Sequence, residues 1–251
     1  MHAITTSHWP YPRWIAHRGA GKLAPENTLA AFRLGAQHGY RMFECDAKLS
    51  ADGVPFLLHD ATLERTTNGR GTGGDLPLGA LARLDAGSWH SRAYAGEAVP
   101  TLEALARFCI ANGYFLNIEI KPTPGQEETT GRVVGETAAR LWQGQAVPPL
   151  FSSFKPDALA GAQATAAHIP RALLLDTLWD GCLDTARRLG CVAIVCNHAL
   201  WDTALVAQVK GMGMRTLSYT VNDDWAAQRL IALGTDGIIT DRVDLFSPAT
   251  P

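Results

Sequence analysis

The run Met42 to Leu49 sets two carboxylates, Glu44 and Asp46, two residues apart, and on a β-strand that spacing sends both side chains to the same face. Paired carboxylates on one face suit a hard divalent cation. An Asp52-Gly53 turn follows, then a second apolar run that ends in His59-Asp60. So short a turn cannot join parallel neighbours, so the second run is expected to fold back antiparallel and return His59 to the level of the carboxylates. Further on, Glu119 and Lys121 repeat the two-residue spacing, and His17-Arg18 ends a short apolar run near the start. Glu44, Asp46 and Glu119 can therefore converge on one cation, and an all-oxygen ligand set favours magnesium, calcium or manganese over zinc. Without a cation, three close carboxylates raise one another's pKa values until one protonates, so a bound divalent ion is the simpler account. Arg18 and Lys121 bring positive charge suited to a phosphate. His17 and His59 are the acid–base candidates: one imidazole takes a proton from an attacking oxygen while the other gives one to a leaving alkoxide.

Groups so far apart in sequence need a scaffold that gathers strand ends. Strands are suggested at Trp14, Met42, Phe115–Ile120, Leu150–Ser153, Arg171–Leu175, Cys191–Cys196, Arg215–Tyr219 and Gly237–Thr240. Helical spacing fills the intervals at Thr28–Gly39, Pro100–Ala111, Glu127–Gln143, Pro156–Ala166, Asp180–Leu189, Asp202–Met212 and Asp223–Leu233, several opening on an Asp or Pro suited to a first turn. With the folded-back run at Val54 left outside the closed sheet, this pattern predicts an α/β fold, a (β/α)8 TIM barrel. Residues 61–100 are too irregular for a barrel unit and too long for an ordinary loop, and read as an insertion subdomain after the second barrel strand within one domain spanning 1–251. An open doubly wound sheet is disfavoured because His17-Arg18-Gly19-Ala20-Gly21 lacks the third glycine of a dinucleotide turn and precedes Pro25, not a helix. In a barrel, catalytic groups occupy the carboxyl ends of strands, where the polar residues named above fall.

Composition bounds the function. The chain has 251 residues, 47% hydrophobic and 18% charged, with a net charge of −2, and no basic run to recruit nucleic acid or an anionic surface. No segment approaches the ~18 apolar residues of a membrane span, so no membrane insertion is expected. Residues 1–14 lack the basic start and apolar core of a signal peptide, which predicts a cytoplasmic protein. Five cysteines, odd in number and without Cys-x-x-Cys spacing, fit reduced, buried thiols. His2, His8, His38, His90 and His168 stand apart from other polar site groups and are given no role.

The motifs His17-Arg18-Gly19, Pro25-Glu26-Asn27-Thr28, Glu44-x-Asp46, Asp52-Gly53 with His59-Asp60, Leu63-x-Arg65-Thr66-Thr67, Ile118-Glu119-Ile120-Lys121, Ser153-Phe154, Thr220-Val221-Asn222 and Asp236-Gly237-Ile238-Ile239-Thr240-Asp241 resemble those of the glycerophosphodiester phosphodiesterases, in order, over nearly the whole chain. The resemblance implies a metal-dependent hydrolase that releases sn-glycerol 3-phosphate and an alcohol from a small glycerophosphodiester. Residue by residue it implies His17 and His59 as acid–base pair, Glu44, Asp46 and Glu119 as ligands of one Mg2+ or Ca2+, with Mn2+ as a further candidate, and Arg18 and Lys121 as phosphate contacts. Phe154, Tyr219 and Asn222 are expected at the substrate, Tyr219 standing where the family often has Trp beside the glycerol. Glu26, Asn27 and Thr28 are read as capping or supporting the first helix, with direct catalysis the alternative, and Arg65 and Thr66 as steadying the hairpin, with phosphate contact the alternative. A lyase that stops at a cyclic phosphate and a non-catalytic ligand-binding barrel are the competing functions.

Overall fold

The computed structural model describes residues 9–248; His2 and His8 lie outside them. Eight parallel strands close on themselves: β1 (Trp14–Ala16), β2 (Met42–Leu49), β4 (Phe115–Ile120), β5 (Leu150–Ser153), β6 (Arg171–Leu175), β7 (Ala193–Asn197), β8 (Arg215–Tyr219) and β9 (Gly237–Thr240). Closure comes from β1, which pairs β9 through Trp14↔Ile238 and β2 through Ala16↔Phe43. The folded-back run is β3 (Pro55–Leu57), antiparallel to β2 in the register Ala47↔Leu57. The protein is thus a TIM barrel.

Alternation along the strands divides the apolar residues into two cores. Ile15, Met42, Leu150, Ala172, Leu174, Ala193, Val195, Leu217 and Ile239 fill the barrel interior together with Tyr11, whose hydroxyl donates to Pro148 O at 3.0 Å. Phe43, Cys45, Ile118, Phe151, Leu173, Ile194 and Ile238 face outward into the surrounding helices. On β2 and β4 the inward series becomes polar toward the carboxyl end, running from Met42 to Glu44 and Asp46 and from Phe115 to Asn117 and Glu119, in the register Glu44↔Asn117 and Asp46↔Glu119. Apolar packing at one end therefore supports a polar mouth at the other.

Helices α1 (Leu29–Gln37), α2 (Leu78–Leu81), α3 (Leu102–Asn112), α4 (Glu127–Leu141), α5 (Pro156–Thr165), α6 (Cys182–Arg188), α7 (Thr203–Gly211) and α8 (Asp224–Ala232) complete the chain. The side chains of Thr28, Thr101, Asp202 and Asp223 accept N-terminal N–H groups of α1, α3, α7 and α8, each such cap being worth ~1 kcal/mol. Helix α6 starts two residues later than its Asp180 suggests, because Gly181 occupies the N-cap at φ 81°, a left-handed conformation that favours glycine. Between β3 and α3 the chain carries a satellite core of Phe56, Leu58, Leu63, Leu81, Ala86 and Val99. Asp85 ties this segment together, accepting from Gly87 N–H and Ser88 N–H at 2.8 Å and from Gly96 N–H at 3.0 Å. Among the described residues no helix is long and apolar enough to cross a membrane.

Candidate active site

Carboxylate oxygens of Glu44, Asp46 and Glu119 lie within 4.8 Å of one another at the barrel mouth. Glu44 and Asp46 are 3% and 0% exposed, so their charges cannot be screened by solvent. Burial and the neighbouring Asp46 push Glu44 up to about 8, and the same two influences raise Glu119. Burial also works upward on Asp46, but Arg18 and Lys121 outweigh it and hold this carboxyl below the usual range. Glu44 Oε1 has no hydrogen-bond partner among the described residues, and Asp46 Oδ1 has Lys121 Nζ at 3.5 Å. Buried carboxylate oxygens left underused in an all-oxygen cluster fit a hard divalent cation. Asn117, buried beside Glu44 with neither amide atom bonded among the described residues, is an inward polar group that sequence reading passed over.

The loop after β1 wraps this cluster. Arg18 and Asn27 take φ of 50° and 60°, uncommon for side chains with a Cβ, and each is compensated by contacts to the carboxylates. Arg18 N–H donates to Glu44 Oε2 at 3.1 Å, its Nε lies 3.1 Å from Asp46 Oδ2 and its guanidinium reaches Glu26 at 2.9 Å. Asn27 Nδ2 donates to Asp46 Oδ2 at 2.8 Å while Asn27 Oδ1 accepts Asp46 N–H at 3.1 Å. Thr28 is the cap of α1, as expected, whereas Asn27 is a clamp on Asp46. Gly21 lets the loop close: a Cβ there would meet Asp241 O at 2.1 Å.

Both imidazoles rest on carboxylates. His17 Nδ1 is 2.7 Å from Asp241 Oδ1, with Nε2 3.8 Å from Glu44 Oε2. His59 Nδ1 is 2.7 Å from Asp60 Oδ1. A carboxylate at Nδ1 favours the tautomer that presents Nε2 to a reactant. Burial works to lower both imidazoles. For His17 the bond to Asp241 and the charge of Glu44 prevail and its pKa is raised; for His59 burial, with Arg18 and Lys121, prevails over Asp46 and Asp60 and its pKa is lowered. Because β1 and β3 both pair with β2 on the edge opposite β4, the two histidines follow strands on one side of the carboxylate strand.

Lys121 Nζ donates to Glu119 Oε1 at 3.0 Å and lies 5.9 Å from the Phe154 ring centroid. Phe154 meets Tyr219 edge to face at 5.7 Å, and the Tyr219 hydroxyl donates to Leu175 O at 3.2 Å. These residues form an aromatic wall beside Lys121. Asn222 is bound to Asp241: its Nδ2 donates to Asp241 Oδ2 and its Oδ1 accepts Asp241 N–H, both at 2.9 Å. Arg65 bridges Glu26 and Asp60. Trp201 is core, its indole bonded to Leu217 O at 3.0 Å, and Asn197 caps the short turn that contains His198. Asp241 and Asp60 are the supporting residues that sequence reading left without a role, although each sits beside a polar strand-end group.

One mouth of the closed barrel thus holds two carboxylate-backed imidazoles, three converging carboxylates and the cationic Arg18 and Lys121, a set suited to an anionic phosphate ester. The family model described as the glycerophosphoryl diester phosphodiesterase family matches residues 17–245. The chain belongs to that family, and it is an enzyme of the phosphoric diester hydrolase class. It is 33% identical over 233 residues to the glycerophosphodiester phosphodiesterase of Caldanaerobacter subterraneus subsp. tengcongensis, covering 90% of this chain and 93% of the relative. A solved structure of an Oleispira antarctica phosphodiesterase in complex with the product sn-glycerol-3-phosphate superposes with a TM-score of 0.85 at 36% identity, covering 92% of this chain and 93% of that one. The glycerophosphodiester phosphodiesterase of Agrobacterium tumefaciens follows at a TM-score of 0.75 and 29% identity, covering 94% and 99%.

Proposed function

We propose that the chain hydrolyses small glycerophosphodiesters to sn-glycerol 3-phosphate and an alcohol, with His17 and His59 as proton-transfer partners and one divalent cation, Mg2+ or Ca2+ (Mn2+ as a substitute), held by Glu44, Asp46 and Glu119. The observation that supports it most is the pair of imidazoles carried by the strands on one edge of β2, each bonded at Nδ1 to its own carboxylate, beside three carboxylate groups within 4.8 Å of one another. The product named in the Oleispira structure supports the choice of substrate. When bound, the cation supplies charge to polarise a phosphoryl oxygen. Arg18 and Lys121 hold the remaining phosphate charge, and Phe154 and Tyr219 wall the glycerol. Asn222 acts by holding Asp241.

The glycerol 2-hydroxyl serves as the internal nucleophile in this reading. Its oxygen bonds to phosphorus as the bond to the alcohol breaks; one imidazole accepts the hydroxyl proton and the other protonates the departing alkoxide, leaving a cyclic phosphate that water opens. Residues 61–100 act as an insertion subdomain over the site, and a cytoplasmic setting agrees with five unpaired, buried cysteines. The test is phosphorus NMR of glycerophosphocholine incubated with purified protein, with His17→Ala and the 2-deoxy substrate as controls. The expected result is sn-glycerol 3-phosphate from the natural substrate and nothing from either control. Hydrolysis of the deoxy analogue removes the cyclic route, a cyclic phosphate as sole product makes the protein a lyase, and inertness toward all glycerophosphodiesters with every metal leaves a ligand-binding barrel.

A further inference from the structure

Arg65 lies in the irregular segment after β3, yet its guanidinium makes two forks at once. Toward Asp60, Nε donates to Oδ2 at 2.6 Å and Nη2 to Oδ1 at 3.0 Å. Toward Glu26, Nη1 donates to Oε2 and Nη2 to Oε1, both at 2.8 Å. Each carboxylate also accepts a second partner at the oxygen it shares with Arg65 Nη2. Asp60 Oδ1 receives His59 Nδ1 at 2.7 Å, and Glu26 Oε1 receives Arg18 Nη1 at 2.9 Å. A continuous chain therefore runs His59, Asp60, Arg65, Glu26, Arg18, and Arg18 in turn meets Asp46 at 3.1 Å.

An Asp–His pair on its own at this partly exposed rim would be free to rotate, and a single exposed ion pair orders little. A bidentate guanidinium on both Asp60 oxygens removes that rotation and leaves Oδ1 aimed at the imidazole. The second fork fixes the guanidinium itself to the loop that carries Arg18. We infer that Arg65 is a positioning residue for His59: by locking Asp60 it sets the ring plane and tautomer of that imidazole relative to the phosphate-side Arg18. The inference rests on the proposed role of His59, and lysine cannot replace arginine in it, because an ammonium has the charge but not two planar forks.

The experiment uses the full chain loaded with Mg2+. Arg65→Lys and Asp60→Asn are expected to lower kcat on glycerophosphocholine by about 10- to 100-fold, with KM within about twofold and melting temperatures showing folded protein under assay conditions. In a His59→Ala background, assayed with a 4-nitrophenyl ester of glycerol 3-phosphate so that residual turnover is measurable, Arg65→Lys should cost less than about twofold. Nitrogen NMR of the His59 ring should show one tautomer, protonated at Nδ1, in the wild type and a mixture in Arg65→Lys; this readout does not depend on turnover, so it stands even if the proposed substrate is wrong. Wild-type kcat in Arg65→Lys, an equal loss with and without His59, or an unchanged tautomer would each overturn the inference.

Discussion

Asp241→Asn is the substitution whose outcome the geometry constrains most tightly. Asp241 Oδ1 accepts from His17 Nδ1 at 2.7 Å while its Oδ2 accepts from Asn222 Nδ2 at 2.9 Å. Asn222 cannot turn over, because its Oδ1 already accepts Asp241 N–H at 2.9 Å. The substituted amide must therefore give its carbonyl oxygen to Asn222 and face His17 with its NH2 group. That forces Nδ1 to accept, moves the ring proton to Nε2 and opposes the doubly protonated imidazolium, so the ring can neither take a proton at Nε2 nor carry an extra one to give. Losing one charge-assisted bond and the correct tautomer costs about 1.5–3 kcal/mol, or roughly 10- to 150-fold in kcat at 1.36 kcal/mol per decade. The KM should stay within about twofold, since no group expected to touch substrate is removed. Steady-state kinetics on glycerophosphocholine measures both constants. A second substitution should rescue the first. With Asn222→Asp added to Asp241→Asn, the new carboxylate accepts from the amide NH2, the amide carbonyl turns to His17, and about a tenth or more of wild-type kcat returns. Wild-type kcat in Asp241→Asn, or a double variant no better than the single one, would refute it.

Other expectations concern stability and binding. Glu44 sits at about 8 in the metal-free fold against an ordinary 4.5, so its contribution to stability is fully present below 4.5 and is lost as pH rises through about 8. Chelated protein should melt progressively lower across that window, and Glu44→Gln should flatten the slope, raise the melting temperature of chelated protein near pH 8 by ~3 °C or more, and abolish activity; a slope unchanged in Glu44→Gln counts against the assignment. Gly21→Ala drives a Cβ to 2.1 Å from Asp241 O at a φ of 56°, and a loss of ~2 kcal/mol or more should register in urea melts, with wild-type stability sinking the close-approach account. Phe154→Ala should raise KM by about fivefold with little change in kcat, measured on the same substrate.

How much of this was legible in the sequence follows from the range of the interactions. The barrel strands were legible as short apolar runs alternating with helical spacing, and β3 through a turn too short for a parallel neighbour. The carboxylates of β2 and β4 were legible because two-residue spacing determines facing. Asp241 was not, because its partner His17 lies 224 positions away and meets it only when β9 closes on β1. Asn27 was hidden by Thr28: the capping position is real, and the side chain one residue earlier turns inward only because Asn27 adopts a left-handed φ. In sequence, Glu26 and Arg65 read as supports of separate elements, the first helix and the hairpin, and their mutual fork exists only once the segment after β3 folds over the β1 loop. Asp60 and Asp241 did carry one usable signal, an acidic residue directly following a polar histidine or a barrel strand.

Cation stoichiometry matched to turnover bears most directly on the central claim that Glu44, Asp46 and Glu119 hold the ion on which hydrolysis depends. Protein stripped by chelation would be titrated with magnesium, calcium or manganese while bound ion and release of sn-glycerol 3-phosphate are followed together, with Glu119→Gln alongside. The account predicts one cation per chain, activity rising in proportion to occupancy, and neither in the variant. Full activity in stripped protein carrying less than ~0.1 cation per chain would contradict it, since a site whose occupancy is limited by Kd can turn over only in the fraction loaded.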